Sequence, residues 1–327
     1  LFAGALACHG EMVKLRPDPR YLTQFYLIVA LGGALGGVLV NFAAPWAFDS
    51  TWELPLSVIV AWIAVAVAQL LDEGSPLYTR FRVPMTAMLV VALWLSVQAF
   101  SNEIRLFRFS TLTAHRNFYG VLRVQEKDRS PSDVYCLVHG ATIHGVQYEE
   151  AALRTEPIGY FSPSSGIGRQ LVHMTDRAGR LRVGVLGLGA GTLATYGRDG
   201  DVYHFYEIDP QVIEYAQGQG GYFSYLDDSA AQIEVVLGDA RLSLARALRD
   251  GGAEGYDLLI LDVFSGDAVP VHLLTREAFE VYLAHLEPGG ALAANISTSH
   301  LNMRPLLAIL ADRFDLRGVV VEDEGDG

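Results

Sequence analysis

Residues 181–193 read LRVGVLGLGAGTL, and three further stretches follow in order: YEIDP at 206–210, VVLGDAR at 235–241 and YDLLILDVFSGD at 256–267. Each stretch follows or contains an apolar run rich in β-branched residues and ends in glycine or acidic residues. This pattern predicts parallel strands with a ligand crevice at their carboxyl ends. The sequence therefore predicts a Rossmann-like α/β domain that binds a nucleoside.

Three glycines, Gly187, Gly189 and Gly191, supply a tight turn after the first predicted strand, Leu181–Leu186. They let the chain reverse and bring backbone amides close to a ligand at the start of a helix that we expect to run through Leu193 and Tyr196. Glu207, at the end of the next strand, adds a carboxylate that can accept hydrogen bonds from both hydroxyls of a ribose. These features alone fit a dinucleotide as well as S-adenosylmethionine.

The segment Gly238-Asp239-Ala240, after the predicted strand Ile233–Leu237, separates these two ligands. An acidic side chain there can accept a hydrogen bond from the exocyclic amine of adenine, an arrangement common in S-adenosylmethionine-binding folds. Asp239 can alternatively cap a helix that begins near Leu242. We predict a class I S-adenosylmethionine-type Rossmann-like sheet. The residues predicted to bind the nucleoside are Gly187, Gly189, Gly191, Glu207, Asp239 and Ala240.

Asp262 carries the predicted chemistry at the mouth of the same crevice. It directly follows the predicted strand Tyr256–Leu261, and Asp267 lies on the loop before Pro270. A carboxylate in this place can orient a cationic amine, take its proton and free a lone pair to attack a carbon bonded to sulfonium. The alternative is structural, with Asp262 capping a turn and Asp267 solvated.

Short motifs spread over residues 105–320 resemble the spermidine synthase (polyamine aminopropyltransferase) family, in its membrane-fused bacterial branch. The segment that begins at Cys8-His9-Gly10-Glu11 also resembles that branch. The motifs are Asn117–Gly120, His139-Gly140, His144–Gln147, Gly187–Gly191, Glu207–Pro210, Gly238–Arg241, Asp262–Ser265 and His272–Thr275.

The resemblance implies roles for single residues. In the family, the residue that matches Glu207 holds the ribose, the one that matches Asp239 binds the adenine amine, and the one that matches Asp262 activates the amine acceptor. Gln147 resembles a glutamine that contacts the nucleoside from a small N-terminal β-domain. The resemblance further implies decarboxylated S-adenosylmethionine, or S-adenosylmethionine itself, as co-substrate, and a homodimer.

Two departures from the family pattern affect the acceptor half of the site. Soluble spermidine synthases carry aspartate in the turn Gly-Gly-Gly-Asp-Gly, where it helps to bind the diamine and the donor; Ala190 stands there in this chain. The family's Asp-Gly before its glutamine is His144-Gly145 here, and its downstream Tyr-His pair finds a partial match only in Tyr148 or Tyr160. The missing carboxylate counts against putrescine as the acceptor.

The first hundred residues differ in composition from the rest. The chain is 51% hydrophobic, and the excess precedes residue 101. Three uncharged segments, 25–48, 54–71 and about 84–100, are long enough to span a bilayer. Gly32-Gly33 and Gly36-Gly37 allow close helix packing, and Trp46 and Trp52 fit interfacial anchors. We therefore predict membrane helices, since core helices of an α/β enzyme are seldom uncharged throughout.

The predicted order is transmembrane helices at 1–100, a small β-domain at 101–157 and the Rossmann-like catalytic domain at 158–327. Leu1–Cys8 is typical of the tail of another apolar helix, so we expect residues upstream of Leu1. A strand is predicted at Gly318–Val321. Because class I sheets usually finish with an antiparallel strand, we also expect the sheet to be completed by residues beyond Gly327.

Charge and metal-ligand spacing narrow the function. A net charge of −13 argues against nucleic acid and suits a small cationic amine, with membrane lipid as the other partner. Nine histidines and two cysteines show no zinc-ligand spacing, so we predict no metal. The predicted localisation is the bacterial inner membrane, with the catalytic domain in the cytoplasm, where S-adenosyl nucleotides are made.

These observations predict a membrane-anchored enzyme that moves the aminopropyl group of decarboxylated S-adenosylmethionine to an amine and releases methylthioadenosine. One alternative is an enzyme that uses S-adenosylmethionine itself, as a methyltransferase or in a lyase-like reaction, which Ala190 leaves open. Another is a non-catalytic nucleoside-sensing domain that regulates the membrane part. Asp262 argues against a sensor, which would not need that carboxylate.

Overall fold

The computed structural model describes residues 2–75, 78, 82–177, 179–263, 270–296 and 302–322. The chain divides into two units, Leu1–Val121 and Leu122–Gly327.

The first unit consists of apolar helices and one short strand. The helices are α1 (Phe2–Lys14), α2 (Leu22–Val38), α3 (Ala44–Ala47), α4 (Glu53–Leu71) and α5 (Arg82–Ser110), and the strand is β1 (Thr113–Asn117). A π-helical turn, Leu39–Ala43, joins α2 to α3 just before Pro45, which lacks a backbone N–H. The apolar helical stretch thus continues from α2 through α3.

Three helical stretches are long and apolar enough to cross a membrane: Pro19–Ala47, Glu53–Leu71 and Arg82–Ser110. They contain the three predicted segments nearly entirely. The predicted third span ends at about Phe100, but the helix continues for ten more residues, through a charged stretch. Large apolar side chains lie exposed along all three, including Ile28, Leu71 and Val83. Such extensive apolar surface is rare on soluble monomers and fits contact with lipid.

We expect the full-length chain to stay in the membrane fraction during washes with carbonate or high salt and to be released only by detergent. The physical reason is that lipid would cover the exposed apolar faces of the three helices, and these washes remove only electrostatic contacts. Immunoblotting of the pellet and supernatant measures the distribution, with a peripheral protein as the control that carbonate releases. Recovery of this chain in the carbonate supernatant would contradict the prediction.

The second unit begins with a small antiparallel sheet. Its strands are β2 (Gly120–Lys127), which starts just before the boundary, β3 (Val134–His139) and β4 (Thr142–Tyr148). All three lie within residues 101–157, the range predicted for a small β-domain. Leu137 pairs with Gly145 and Val138 pairs with Ile143, so His144 is the extra residue of a β-bulge.

A five-stranded parallel sheet forms the larger part of this unit. Its strands are β5 (Arg182–Leu186), β6 (Val202–Glu207), β7 (Gln232–Leu237), β8 (Tyr256–Leu261) and β9 (Leu286–Ala294). The order is β7-β6-β5-β8-β9, and every pair is parallel. The order changes direction between β5 and β8, and at such a switch point the crevice at the carboxyl ends accepts ligands. The predicted parallel α/β fold is confirmed.

Helices cover both faces of the sheet, and its strand β8 is apolar from Leu258 to Leu261. The helices are α6 (Gly166–Arg177), α7 (Pro210–Ala216), α8 (Tyr225–Asp228), α9 (Ala240–Asp250), α10 (Arg276–Ala284) and α11 (Arg304–Arg313). In β8, Leu258 and Ile260 join the core on one face, and Leu259 and Leu261 join the core on the other. Burial on both faces explains why this strand has no polar alternation.

Two elements differ from the prediction. The predicted strand Gly318–Val321 is wrong: these residues have no regular structure, and the side chain of Val319 is 88% exposed. β-Branched residues favour a strand only where a neighbouring strand supplies hydrogen bonds, and the described part of the chain offers none here. The predicted helix through Leu193 and Tyr196 is a five-residue 3₁₀ helix, Thr192–Tyr196, which ends at the extended Gly197.

Candidate nucleoside and amine site

The glycine turn lies where the ends of three strands meet. Gly187 and Gly189 have φ values of +95° and +56°. A Cβ atom on Gly187 would lie 2.2 Å from the backbone oxygen of Asp262, and one on Gly189 would lie 2.3 Å from the backbone oxygen of His144. Both the left-handed conformation and the close approach require glycine. The turn therefore holds the end of β5 against β8 and β4.

Glu207, the last residue of β6, is hydrogen-bonded to this turn. Its Oε2 accepts from the backbone N–H of Leu188 at 3.1 Å, and its Oε1 accepts from Ile208 and Asp209 at 2.7 and 2.9 Å. Burial raises the pKa of the Glu207 carboxyl, and the three backbone donors partly offset that effect. A carboxylate offers about four lone-pair sites, so the remaining one on Oε2 is open to a hydroxyl donor.

Asp239 performs the capping role that the sequence left as an alternative. Its Oδ1 accepts from the backbone N–H of Leu242 at 2.8 Å, as the N-cap of α9. Its Oδ2 lies 2.9 Å from Nε2 of His272, in the 3₁₀ turn Val271–Leu274. Sequence reasoning did not assign His272 a role, although it belongs to one of the family motifs. An adenine amine would have to share this carboxylate with His272 or displace it.

Ala240 follows as the first residue of α9, and it packs into the core with Leu244. Its small side chain, 6% exposed, lets α9 begin close to the sheet.

Asp262 directly follows β8 and is partly buried. Its backbone N–H donates to Leu186 in β5, and its Oδ1 accepts a 2.8 Å hydrogen bond from Nδ2 of Asn295. Burial raises the pKa of the Asp262 carboxyl and the negative charge of Glu207 adds to this effect, whereas the Asn295 bond lowers it; the resulting pKa is about 6. Asp267, the second predicted catalytic residue, lies outside the described residues.

Asn295 is a site residue that the sequence did not reveal. It follows β9, and its backbone N–H donates to Leu261 at 2.9 Å, which sets its side chain beside the neighbouring Asp262. The bond occupies Oδ1 and leaves Oδ2 of the carboxylate for another donor.

Tyr160 links this carboxylate to the small sheet. Its hydroxyl donates to the backbone oxygen of His144 at 3.2 Å. Burial raises the pKa of Tyr160 well above its usual value, and the negative charge of Asp262 adds to the shift. The backbone oxygen of His144 lies against Gly189 and that of Asp262 lies against Gly187, so both residues border the glycine turn, and Tyr160 reaches the first of them.

Gln147 is 1% exposed, and its amide is occupied by protein groups. Nε2 donates to the backbone oxygen of Arg154 at 2.7 Å and to Oγ of Ser224 at 3.0 Å, and Oε1 accepts from the Ser224 backbone N–H at 2.8 Å. These bonds hold β4 against the start of α8. A contact between Gln147 and a nucleoside stays a prediction, with one lone pair of Oε1 left to make it.

No family model matches the sequence. A polyamine aminopropyltransferase of Vibrio vulnificus is 33% identical over 126 residues, 37% of this chain and 39% of the relative. A probable polyamine aminopropyl transferase of Bifidobacterium longum is 29% identical over 119 residues, 35% of this chain and 23% of the relative. An N-terminal histidine N-methyltransferase of Emericella nidulans is 36% identical over 115 residues, 34% of this chain and 19% of the relative.

The chain thus spans about two fifths or less of the length of these curated relatives. The two aminopropyltransferases support the spermidine synthase family for this chain, as its motifs predicted. The membrane-fused branch stays a prediction. Among solved structures, a probable spermidine synthase from Corynebacterium glutamicum is 20% identical, with a TM-score of 0.48, over 62% of this chain and 70% of that chain.

Proposed function

We propose that this chain is a membrane-anchored aminopropyltransferase. It would transfer the aminopropyl group of decarboxylated S-adenosylmethionine to a small amine and release methylthioadenosine. The observation that carries the proposal is Asp262: a partly buried carboxylate, with its pKa raised to about 6, at the mouth of the crevice beside the glycine turn. A sensor of nucleosides would have no use for a carboxylate with this placement.

Each site residue would have a separate role. Glu207 would accept a hydrogen bond from the ribose, Asp239 would meet the adenine amine, and the Gly187–Gly191 turn would border the polar tail of the donor. Ionised Asp262 would orient an ammonium group and accept one of its protons on Oδ2. The freed lone pair of the nitrogen would attack the carbon bonded to sulfonium and form a C–N bond. At the same time the C–S bond would break, and its bonding electrons would go to sulfur. Neutral methylthioadenosine would then leave.

The pH dependence of turnover tests this role of Asp262. Because the ionised carboxylate takes the proton, kcat/KM should fall as the pH drops through about 6. The hydrogen bond from Asn295 lowers the pKa of Asp262, so Asn295→Ala should move this acid limb to higher pH. Methylthioadenosine release measured across pH 5–9 gives the midpoint for each form.

An exposed asparagine provides the matched control. Asn302→Ala removes a side chain that bonds only locally, to the Arg304 backbone, among the contacts seen here, and should leave the acid limb unchanged. An acid limb in Asn295→Ala at the wild-type pH, or below it, would contradict the proposed contact between the two side chains.

One observation favours a second candidate function. The similarity to the histidine N-methyltransferase of Emericella nidulans supports an enzyme that uses S-adenosylmethionine itself and transfers its methyl group to nitrogen. The same Asp262 would then prepare the nitrogen nucleophile. The two candidates differ in the nucleoside that they release, which is methylthioadenosine for the first and S-adenosylhomocysteine for the second.

Mass spectrometry of reaction products separates the candidates. The purified full-length protein, in detergent, is incubated with either donor and a panel of amines. An aminopropylated amine with methylthioadenosine supports the proposal. A methylated product with S-adenosylhomocysteine supports the second candidate, and nucleoside binding without any product favours a sensor.

The proposal extends to the setting of the enzyme. Three apolar helices support anchoring in lipid, and we place the chain in the bacterial inner membrane as a multipass protein. The catalytic domain would lie in the cytoplasm, where S-adenosyl nucleotides are made. The division into membrane helices at 1–100, a β-domain at 101–157 and a catalytic domain at 158–327 belongs to the same proposal, as does a homodimer.

A further inference from the structure

The β-bulge in β4 places His144 on the face of the small sheet that covers the glycine turn. On this face Leu137 packs in one core cluster with Leu188 and Ala190 of the turn. His139 is two residues beyond Leu137 in the same strand, so its side chain lies on the same face. The rings of His139 and His144 are 5.6 Å apart, which puts the His144 ring there as well.

Contact between Ala190 and Gly145 closes the turn to any larger side chain. Ala190 is 1% exposed, and a Cβ atom on Gly145 would lie 2.3 Å from Cβ and 2.7 Å from N of Ala190. A carboxylate at position 190 would need β4 to move away from the turn. The turn itself therefore contributes no side-chain charge to the site.

The imidazole of His144 has an unused polar atom. Its Nε2 is buried and finds no hydrogen-bond partner in the part of the chain that the structure describes. Buried polar atoms are nearly always paired, by protein, water or a ligand. Burial, with a smaller contribution from His139, lowers the pKa of His144 to about 4, so the ring is uncharged at neutral pH.

Charge balance then limits the second substrate. Asp262 can pair with the ammonium group that reacts. A second ammonium group beside His144 and Tyr160 would find no counter-charge on either side chain, and a buried cation without a counter-charge is strongly disfavoured. An uncharged polar group there could instead bond to Nε2 of His144.

We propose that His144 determines acceptor specificity, selecting an amine that has one cationic nitrogen and an uncharged, hydrogen-bonding tail rather than a diamine. This inference rests on the proposed function, because it concerns the second substrate of the same site. It assigns His144 to the far end of the acceptor and Asp262 to the reacting nitrogen.

Two amines of equal chain length test the proposal: 4-amino-1-butanol and 1,4-diaminobutane. With decarboxylated S-adenosylmethionine and the full-length protein in detergent, kcat/KM for the amino alcohol should exceed that for the diamine at least tenfold. His144→Phe keeps an aromatic ring but removes the hydrogen bond, and should lower kcat/KM for the amino alcohol about three- to tenfold. His144→Asp should raise kcat/KM for the diamine at least tenfold.

The control is His173→Phe, which changes an exposed histidine on α6 and should leave both values unchanged. A wild-type preference for the diamine, or an amino-alcohol preference that survives His144→Phe undiminished, would overturn the proposal.

Calorimetry separates a failure of this inference from a failure of the proposed function. If no amine is turned over, the aminopropyltransferase function fails, and binding of both amines is measured in the presence of methylthioadenosine. Tighter binding of 4-amino-1-butanol by wild type, lost in His144→Phe, still supports the specificity role. Equal or tighter binding of the diamine, or no binding of either, overturns it.

Discussion

Asp262→Asn should lower turnover by about 10²- to 10⁴-fold, the range for loss of a general base. The amide has the shape of the carboxylate, and its oxygen can still accept the hydrogen bond from Asn295. The amide cannot accept a proton from an ammonium group. The attacking nitrogen would therefore stay protonated, with no lone pair available for the attack. Methylthioadenosine release, measured at saturating donor and acceptor, gives the loss directly.

The affinity for methylthioadenosine should change little in this variant, because Glu207 and Asp239 remain. Asp250→Asn, an exposed change at the end of α9, is the matched control and should retain full activity. Full turnover in Asp262→Asn would show that the assigned mechanism is wrong. Loss of nucleoside binding would instead put Asp262 in the nucleoside pocket, and the base would be sought among Asp267, Glu149, Glu150 and Tyr160.

The sheet was predictable where each strand carries its own signal. In β5, β6, β7 and β8 an apolar run ends at a glycine or an acidic residue. The local sequence therefore indicates both the strand and the end of it that lies at the site. Parallel strands covered on both faces need such continuous apolar runs. The predicted bounds of β5, β7 and β8 therefore differ from the observed ones by one residue at most.

Strand β9 shows why the remainder was not predictable. Its sequence contains Pro288-Gly289-Gly290, a strong local turn signal, and Gly289 has a φ of +88°. The sheet absorbs these residues in an irregularity: Tyr256 pairs with Leu286, whereas Leu258 pairs with Ala291. The strand thus depends on pairing with β8, which local sequence does not encode. Without β9, the contact between Asn295 and Asp262 could not be foreseen either.

Contacts between distant residues limited the prediction of the site in the same way. The motif around Asp239 identified the residue, and its role as a helix cap was an open alternative. Its contact with His272, 33 residues later, depends on how the 3₁₀ turn packs against α9. Gln147 likewise meets Ser224, 77 residues away, and that contact uses most of its hydrogen-bonding capacity. A motif indicates which side chains reach an edge of the sheet, but not which neighbours they meet there.

Glu207 should dominate the affinity for the nucleoside. Glu207→Ala removes an acceptor whose Oε2 still has a free lone pair beside the glycine turn. A charge-assisted hydrogen bond contributes about 1.5 to 3 kcal/mol, so the dissociation constant for methylthioadenosine should rise about 10- to 150-fold. The loss also includes Leu188, Ile208 and Asp209, whose backbone N–H groups would lose their acceptor.

Two variants separate ligand binding from the support of the turn. Glu207→Gln keeps an oxygen for the backbone donors but removes the charge, so its affinity should fall less than that of Glu207→Ala. Glu214→Ala removes an exposed carboxylate on α7 and should bind like wild type. Isothermal titration calorimetry with methylthioadenosine measures all three, and thermal melting without ligand reports the stability of each fold. Unchanged affinity in a folded Glu207→Ala would remove this carboxylate from the ribose role, because an acceptor that holds a hydroxyl cannot be deleted without cost.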